Sequence, residues 1–258
     1  MSAFTIGHDC EYGIGGLKPV PACGIVGGEK GKPIWLTDSI GVHEDGTMLE
    51  INIKPVKTKE QWVIAVEDAI AVAEQWVMGK GGYKIIRGST VAYDELDLKA
   101  AGPKAYITGC DPWNDAWTGY RANNVCYAST NNRYAAGHVH VGHHLPNRRS
   151  GERFVRLFDL TATLPSVLLD DDHARRKTYG LPGQYRRKPY GVELRSLSNF
   201  WSFNTTFIKW VYDAVDEALA RWEDGDDPRE DMKAIHHAVF TSDKALAEKL
   251  MKKHSVKI

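Results

Sequence analysis

Four short segments of the chain alternate apolar side chains with acidic, imidazole or guanidinium side chains. Successive side chains of a β-strand point to opposite faces of its sheet, so each segment predicts a strand with one apolar and one polar face. The segments are residues 4–12 with Asp9 and Glu11, residues 50–54 with Glu50, residues 138–141 with His138 and His140, and residues 192–195 with Glu193 and Arg195. The chain is therefore expected to build a sheet that is packed on one side only.

The four polar faces have an unusual composition. A sheet with one solvated face explains any single strand, but solvated faces usually mix Thr, Lys, Ser, Gln and Glu. A His-x-His segment beside short carboxylates differs from that mixture. We therefore interpret the four faces together as one functional site.

Converging carboxylates indicate a divalent cation. Three or four such groups on one surface repel one another unless a cation neutralises them, and hard oxygen ligands suit Mg²⁺ or Mn²⁺. His140 or His138 can complete the ligand set, and Arg195 has the planar, permanent charge that suits phosphoryl oxygens. Zinc is disfavoured, since the four histidines of residues 138–144 come without a nearby Cys or an HExxH helix.

A second group of residues indicates phosphate binding. Six basic side chains bracket the turn sequence of residues 179–183, and they are Arg175, Arg176, Lys177, Arg186, Arg187 and Lys188. Such a run is often a solvated face, particularly after the acidic residues 170–172. Because it leads directly into the strand of Glu193 and Arg195, we interpret it as an anion site, most naturally for a polyphosphate. The glycines of residues 13–31 lack the spacing of a P-loop or a Rossmann site.

A long amphipathic helix is expected after the second of these strands. Residues 58–77 carry apolar side chains at helical spacing, Thr58 with Gln61 forms a capping-box signature, and the glycines of residues 79–82 end the helix.

The remaining segments complete the predicted architecture. Helices are expected at residues 152–164, at about 199–222 and at about 229–254, a strand at 83–91, and loops over most of 94–130. Strands mixed with helices but without regular βαβ alternation predict an α+β fold with a mainly antiparallel sheet and flanking helices. Since no linker or repeat divides the chain, residues 1–258 are expected to form one domain.

Charge and composition exclude several classes of protein. The 258 residues carry 33 basic and 33 acidic side chains, so an electrostatic footprint for nucleic acid or membrane spread over the whole molecule is not expected. No apolar run is long enough to span a membrane, and residues 1–11 lack the pattern of a signal peptide. The four cysteines are too sparse for a disulfide framework, so mostly buried thiols and a cytoplasmic location are expected.

An ordered set of motifs over roughly residues 4 to 201 resembles one known family. The motifs are Ile6-Gly-His-Asp-Cys-Glu11, Asp45-Gly-Thr-Met-Leu-Glu-Ile-Asn-Ile-Lys-Pro55, Gly137-His-Val-His-Val-Gly142, Arg176 with Tyr179-Gly180, and Arg186-Arg-Lys-Pro-Tyr-Gly-Val-Glu-Leu-Arg195. In this order they resemble the phage-encoded COOH-NH2 ligase type 2 family, within the glutamine-synthetase-like amidoligase superfamily.

The resemblance implies a fold and a reaction. The implied fold is a curved antiparallel sheet that binds ATP and two or three Mg²⁺ or Mn²⁺ ions on its concave face. Ligases of this kind phosphorylate a substrate carboxylate and let an amine displace the phosphate.

The resemblance also implies roles for individual residues. The implied metal ligands are Asp9, Glu11, Glu50, Glu193 and His140, and the implied nucleotide-binding residues are Arg176, Arg186, Arg195, His138 and His140. Which of the two histidines contacts metal or nucleotide stays open. Either Glu44 or Asp45 can be the acidic companion of Glu50. The catalytic residues are then expected among Glu193, Arg195, Arg186 and His140.

Other functions stay open beside an ADP-forming ligase. An ATP-dependent phosphotransferase that stops at the phosphorylated substrate would use the same residues. A non-enzymatic phage protein that binds nucleotide or nucleic acid would use the basic run, although it has no need of the carboxylates. The general base is open among His43, Glu44 and the acids near the metal.

The carboxylate and the amine that react cannot be read from the chain. They range from small metabolites to a peptide terminus, a protein side chain or a modified base, so nucleic acid is expected only as a substrate. Candidate substrate contacts within the expected loops are Trp113, Trp117 and Tyr120. No membrane partner is expected, and no oligomeric state is indicated.

Overall fold

The computed structural model describes residues 3–109, 113–122, 125–127, 130–171 and 173–258, with the backbone alone for residues 108, 109, 122 and 125–127. The strands are β1 (Thr5–Tyr12), β2 (Ile14–Gly15), β3 (Pro19–Val20), β4 (Ile34–Trp35), β5 (Ile40–Asp45), β6 (Met48–Val56), β7 (Lys84–Ile85), β8 (Thr90–Ala92), β9 (Ile107–Gly109), β10 (Trp113–Asp115), β11 (Arg121–Ala122), β12 (Val125–Tyr127), β13 (Asn132–Tyr134), β14 (Val139–Gly142), β15 (Gln184–Lys188) and β16 (Gly191–Leu194). The α-helices are α1 (Lys59–Gly81), α2 (Glu95–Ala101), α3 (Arg148–Phe158), α4 (Ser166–Leu169), α5 (Thr205–Glu223), α6 (Met232–Thr241) and α7 (Lys244–Lys253). A π-helical turn lies at Asp159–Thr163, and 3₁₀ turns lie at Pro103–Tyr106, Arg175–Lys177, Asn199–Phe203 and Pro228–Asp231.

Nine of the described strands form one sheet in the order β11, β10, β15, β16, β14, β1, β6, β5, β4. Each pairing along this sheet is antiparallel. Three smaller sheets pair β12 with β9, β13 with β8, and β3 with β2 and β7. The structure therefore confirms the predicted α+β fold with a mainly antiparallel sheet.

The apolar face of the central strands packs against helices. His8 of β1 lies edge-on to two tryptophans, Trp62 of α1 and Trp201, with ring centroids 5.9 Å away in each case. The two indoles stack on each other at 5.4 Å, and Trp62 Nε1 donates to the carbonyl oxygen of Ile208 at 2.9 Å. Burial of these large side chains joins α1 and α5 to the sheet and stabilises the fold through the hydrophobic effect.

The predicted helix after β6 is present as α1. The Thr58 side chain accepts from Gln61 N, and the Gln61 side chain accepts in return from Thr58 N, which is the expected capping box. Gly82 ends the helix in the left-handed region, with φ 74°, where glycine is favoured over other residues.

The structure corrects the two C-terminal helices. The first, expected at about 199–222, is interrupted at Asn204, whose backbone is extended and whose side chain accepts a hydrogen bond from the first turn of α5 at 2.8 Å. The second, expected at about 229–254, is divided into α6 and α7 at Ser242, which has a φ of 56°. Asp243 then caps α7. Short polar side chains compete with helix continuation by bonding the local backbone, as Asn204 and Asp243 do, and the positive φ of Ser242 ends α6.

Three other predictions change in extent. The strand expected at 83–91 is two short strands, β7 and β8, which pair with β2 and β13 respectively. The segment 94–130 is not mainly loop, because Asp94 caps α2 and several short strands follow. The helix expected at 152–164 begins earlier, since Asn147 caps α3 at Arg148, and it passes into the π-helical turn.

The last two helices pack on a second apolar cluster. Ile235 and Val239 of α6 and Leu250 of α7 lie against Trp117 and against Leu160 of the π-helical turn. These helices therefore support the segment after β10 and the turn that follows α3.

Two further expectations concern the membrane and the cysteines. Within the described residues, no helix combines the length and apolarity needed to cross a bilayer. Cys10 is buried and Cys23 half-buried, both as free thiols. Cys110 and the side chain of Cys126 lie outside the described residues.

Candidate active site

The polar face of the large sheet brings together two groups of candidate metal ligands. The first cluster consists of Asp9, His140 and Glu193, and the second cluster consists of Glu11, Asp45 and Glu50. Within each cluster, one ligand atom of every residue lies within 4.8 Å of the others. All five predicted metal ligands are thus found in these clusters, and their role as ligands stays a prediction.

Strand register explains this grouping. In neighbouring strands, residues directly opposite each other project from the same face, with Cβ atoms about 4.5–5.5 Å apart. His140 of β14 is opposite Glu193 of β16, and Glu193 is also opposite Arg186 of β15. Glu11 of β1 is opposite Glu50 of β6. The polar side chains of five adjacent strands therefore share one face.

Gly137 allows the His-x-His strand to lie close to the segment that follows β16. A Cβ at this position would lie 2.1 Å from the carbonyl oxygen of Ser198 and 2.6 Å from Trp201 Nε1. Gly137 N donates to the carbonyl oxygen of Leu197 at 3.0 Å. Any larger residue would displace one of the two segments, which explains the glycine of the Gly-His-Val-His motif.

Two histidines surround Asp9 in the first cluster. His140 Nε2 lies 3.0 Å from Asp9 Oδ1, and His138 Nδ1 lies 3.2 Å from the same oxygen. Burial alone would raise the pKa of Asp9, but the imidazoles of His140 and His138 hold it well below its usual range. Burial, followed by the charge of Arg195, lowers the pKa of His138 to about 4. His138 is therefore a neutral ring near pH 7.

Glu193 is fully buried among three cations. Its Oε1 accepts from Arg186 at 2.9 Å and also from Arg195, and its Oε2 lies 2.7 Å from Lys188 Nζ. Burial and the charge of Asp9 act to raise the pKa of Glu193, but His138, Arg195 and Arg186 lower it to about 2. This carboxylate is ionised under all ordinary conditions.

The second cluster lies on β1, β6 and β5. Glu11 Oε2 accepts from the backbone N–H of Ala136 at 3.0 Å. Glu50 is opposite His43 of β5 as well as Glu11, and His43 Nε2 lies 3.4 Å from Glu50 Oε1. Asp45 follows His43 by two residues and so projects from the same face.

The second cluster lacks the charge compensation of the first. Burial, and next the charge of Asp45, raises the pKa of Glu11 to about 7. Burial and the neighbouring carboxylates of Asp9, Asp45 and Glu11 raise the pKa of Glu50 well above its usual range. Arg195 and Lys30 oppose these shifts without offsetting them. A cation bound here would remove the repulsion.

The structure favours Asp45 over Glu44 as the acidic companion of Glu50. Glu44 projects from the opposite face of β5, where its Oε1 accepts from Gly24 N and Gly27 N at 2.8 Å each. These two bonds hold the glycine-containing loop that follows β3. Glu44 is therefore separated from both clusters, which also argues against it as the general base.

The two clusters offer donor atoms that fit Mg²⁺ or Mn²⁺. Five of the six ligands are carboxylates, and the sixth is an imidazole, which suits Mn²⁺ better than Mg²⁺. One buried imidazole nitrogen faces each cluster: His140 Nε2 lies 3.0 Å from Asp9 Oδ1 in the first, and His43 Nε2 lies 3.4 Å from Glu50 Oε1 in the second.

Some side chains of the basic run lie at the site and others lie in the interior of the protein. Arg186 and Lys188 reach the first cluster. Arg176 instead donates to the carbonyl oxygens of Ser166 and Asp170, at 2.8 and 3.1 Å, and is buried. The structure thus places Arg176 against α4 and the residue that follows it, and a nucleotide contact by Arg176 stays a prediction.

Sequence reasoning missed two tyrosines whose hydroxyl groups contact the histidines beside the first cluster. The Tyr179 hydroxyl lies 2.7 Å from His138 Nε2 and accepts from Arg195, and the Tyr190 hydroxyl bonds His140 Nδ1. Tyr179 lies in the turn that the basic run brackets, and Tyr190 precedes the Glu-x-Arg strand, so proximity to these motifs was the available signal. The pairings themselves join residues 41 to 50 positions apart.

The aromatic residues of the segment 113–120 differ in exposure. Trp117 is buried and its Nε1 donates to Asp159 Oδ2 at 2.7 Å, so it packs in the interior and is not available to a substrate. Trp113 is half-buried and Tyr120 is exposed. A substrate contact for these two stays a prediction.

Comparison with known proteins finds a matching family and similar solved structures. The profile of the family described as "Phage phiEco32-like COOH.NH2 ligase-type 2" matches residues 121–253, slightly more than half of the chain. A solved structure described as "Crystal structure of novel glutamine synthase homolog" is 12% identical, with a TM-score of 0.40, and the match covers 98% of this chain and 66% of that one. This chain thus spans just under two thirds of the length of that protein. No curated protein matches. The family match includes Glu193 and the His-x-His strand, and the second cluster lies outside it.

Proposed function

The chain belongs to the Phage phiEco32-like COOH.NH2 ligase-type 2 family, and from this premise we propose that it uses ATP and Mg²⁺ or Mn²⁺ to join a carboxylate to an amine through an acyl phosphate. The observation that carries the proposal is the pairing of the two clusters. The carboxylates of Glu11, Asp45 and Glu50 lie close together, and the pKa values of Glu11 and Glu50 are raised, whereas the carboxylate of Glu193 is surrounded by Arg and Lys. The repulsion between the carboxylates of the second cluster favours binding of a cation, and the positive side chains around Glu193 favour binding of a phosphate.

The chemistry of amide formation explains why both are needed. A carboxylate is a poor acyl donor because its leaving group would be oxide, and phosphorylation supplies a better one. Catalysis of phosphoryl transfer consists mainly of positioning and charge neutralisation. A divalent ion held by the clusters would neutralise the outer phosphates of ATP and polarise the γ-phosphoryl group.

The three basic side chains that surround Glu193 differ in how accessible they are to such a phosphate. Arg186 and Lys188 keep 13% and 29% of their side-chain surface exposed, whereas Arg195 keeps 1%. We assign direct phosphate contacts to Arg186 and Lys188. Arg195 is buried, bonds both Glu193 and Tyr179, and adds its positive charge to the same surface.

The products of ATP cleavage test this proposal. With a suitable carboxylic acid and hydroxylamine as a surrogate amine, we expect a hydroxamate to accumulate in step with ADP and phosphate. The Glu50→Gln variant is the control and should form neither product. AMP and pyrophosphate in stoichiometric amounts would contradict the acyl-phosphate route. ADP without hydroxamate, across a broad panel of acids, would instead support a phosphotransferase.

Metal binding is expected to release protons near neutral pH. The pKa of Glu11 is raised to about 7 and that of Glu50 is also raised, so the metal-free second cluster holds protons that a divalent ion must displace. A raised pKa in the folded state stabilises the metal-free protein fully below the ordinary glutamate value and loses that effect as pH rises through about 7. The affinity for Mn²⁺ should therefore increase with pH over this interval.

Calorimetry in buffers of different ionisation enthalpy measures this release. We expect the protein to release at least about one proton for each Mn²⁺ bound near pH 6, and fewer protons near pH 8.5. The Glu11→Gln variant should release fewer protons near pH 6. A release that is independent of pH would show that the second cluster is not the binding site.

A further inference from the structure

The two histidines of the His-x-His strand present opposite ring nitrogens to the same carboxylate. His138 approaches Asp9 Oδ1 with Nδ1, and His140 approaches it with Nε2. In each ring the other nitrogen lies against a tyrosine hydroxyl, that of Tyr179 for His138 and that of Tyr190 for His140. A neutral imidazole carries one ring proton, so the partner of one nitrogen decides what the other nitrogen can do.

His140, unlike His138, belongs to a group of possible metal ligands. His138 Nδ1 makes a hydrogen bond with Asp9. His140 Nε2 is buried and pairs with Asp9 Oδ1 at 3.0 Å, and His140 forms the first cluster with Asp9 and Glu193. An imidazole nitrogen that faces two carboxylates has the arrangement of a metal ligand.

Tyr190 is held firmly where it meets His140. The Tyr190 carbonyl oxygen accepts from His143 N at 3.0 Å, and the next residue, Gly191, is paired with Gly142 of β14. Gly191 has a φ of 152°, and a Cβ there would lie 2.1 Å from the carbonyl oxygen of Val141. The close approach permitted by this glycine fixes the backbone beside the Tyr190 ring, which lies nearly parallel to the His140 ring at an interplanar angle of 23°.

We propose that Tyr190 is a positioning residue for His140: its hydroxyl accepts the Nδ1–H of the ring and so leaves Nε2 as the ligand atom for a divalent ion in the first cluster. The identity of the ion rests on the function proposed above. Outer partners of this kind fix both the tautomer and the orientation of a ligating histidine. Tyr190 is half exposed, so its hydroxyl can be removed without opening the interior.

The Tyr190→Phe variant tests the assignment because it keeps the ring and removes only the hydroxyl. We expect Mn²⁺, titrated alone, to bind the first cluster about 10–100-fold more weakly, as is usual when such a partner is lost. In the metal-free protein, the ¹⁵N chemical shifts of the His140 ring should move, with the signal assigned by its absence from the His140→Gln variant. Tyr212→Phe is the matched control, since that hydroxyl bonds the carbonyl oxygen of Lys57. It should alter neither quantity.

The two measurements separate the inference from the proposed function. Unchanged His140 ring shifts and unchanged Mn²⁺ affinity in Tyr190→Phe would overturn the role of Tyr190. A wild-type protein that binds no Mn²⁺ at the first cluster would overturn the ligand role of His140 and count against the proposed function. The ring shifts would then still report whether Tyr190 orients His140.

Discussion

Replacing Asp45 with Asn is expected to abolish tight Mn²⁺ binding at the second cluster, whereas replacing its neighbour Glu44 with Gln is expected to leave that binding unchanged. Both changes remove one negative charge and keep the size of the side chain. Only Asp45 shares a face with Glu11 and Glu50. Glu44 is bonded to Gly24 N and Gly27 N on the other side of β5.

The expected loss for Asp45→Asn is about 100-fold or more in affinity, since losing an outer partner of a metal ligand already costs about 10–100-fold. Mn²⁺ titration by calorimetry at about pH 8, above the raised pKa of Glu11, measures it. Thermal unfolding without metal is the control for folding. Because Asp45 raises the pKa of Glu11 and Glu50, its neutralisation should not destabilise the metal-free protein. Equal losses in both variants would contradict the assignment.

Asp45 and Glu44 also show how much of the site the alternation of side chains along a strand can predict. The alternation of side chains is set by backbone geometry, so the sequence placed Asp9 and Glu11 on one face of β1 and Glu193 on the polar face of β16. The same rule applied to β5 puts His43 and Asp45 together and Glu44 opposite. Residues 40–45 are not recognisable as a strand from the sequence alone, so the sequence leaves the choice between Asp45 and Glu44 open.

The sequence pattern could not predict which residues from distant segments contact each other. Tyr190 and His140 are 50 residues apart, and their bond depends on the pairing of β14 with β16. Arg176 illustrates the opposite case. It lies in a basic run that suggested phosphate binding, but the packing of α4 turns its guanidinium toward buried carbonyl oxygens. Local composition reports the charge of a segment and does not report where each side chain points.

The predicted boundaries of the C-terminal helices were wrong for a related reason. The apolar positions of 199–222 and 229–254 predicted packed helical faces, and α5, α6 and α7 do supply buried residues. The interruptions at Asn204 and Ser242 arise from single residues that bond the local backbone or adopt a positive φ. A periodic pattern averages over such residues, so it predicts the existence of a helix better than its ends.

Replacing Glu193 with Gln is expected to destabilise the metal-free protein by about 3–5 kcal/mol, the usual cost of removing one partner from a buried ion pair. The two Glu193 oxygens are approached by Arg186, Lys188 and Arg195, so Gln would leave these cations without their common counter-charge. The lowered pKa of about 2 indicates the same stabilisation: it is present above the ordinary pKa of a glutamate and is lost only as pH falls through about 2. Urea unfolding with a chelator present measures the change.

Glu50→Gln is the matched control, because it removes a carboxylate of similar burial from the same face of the sheet. The pKa of Glu50 is raised by burial and by neighbouring carboxylates, so neutralising it relieves repulsion and should leave the metal-free protein at least as stable. Opposite effects of the same substitution would follow from one difference: the first cluster contains its own cations, and the second must obtain one from solution. Equal destabilisation by both variants would contradict this division. It would mean that burial alone, and not the sign of the surrounding charge, determines how each carboxylate contributes to the fold.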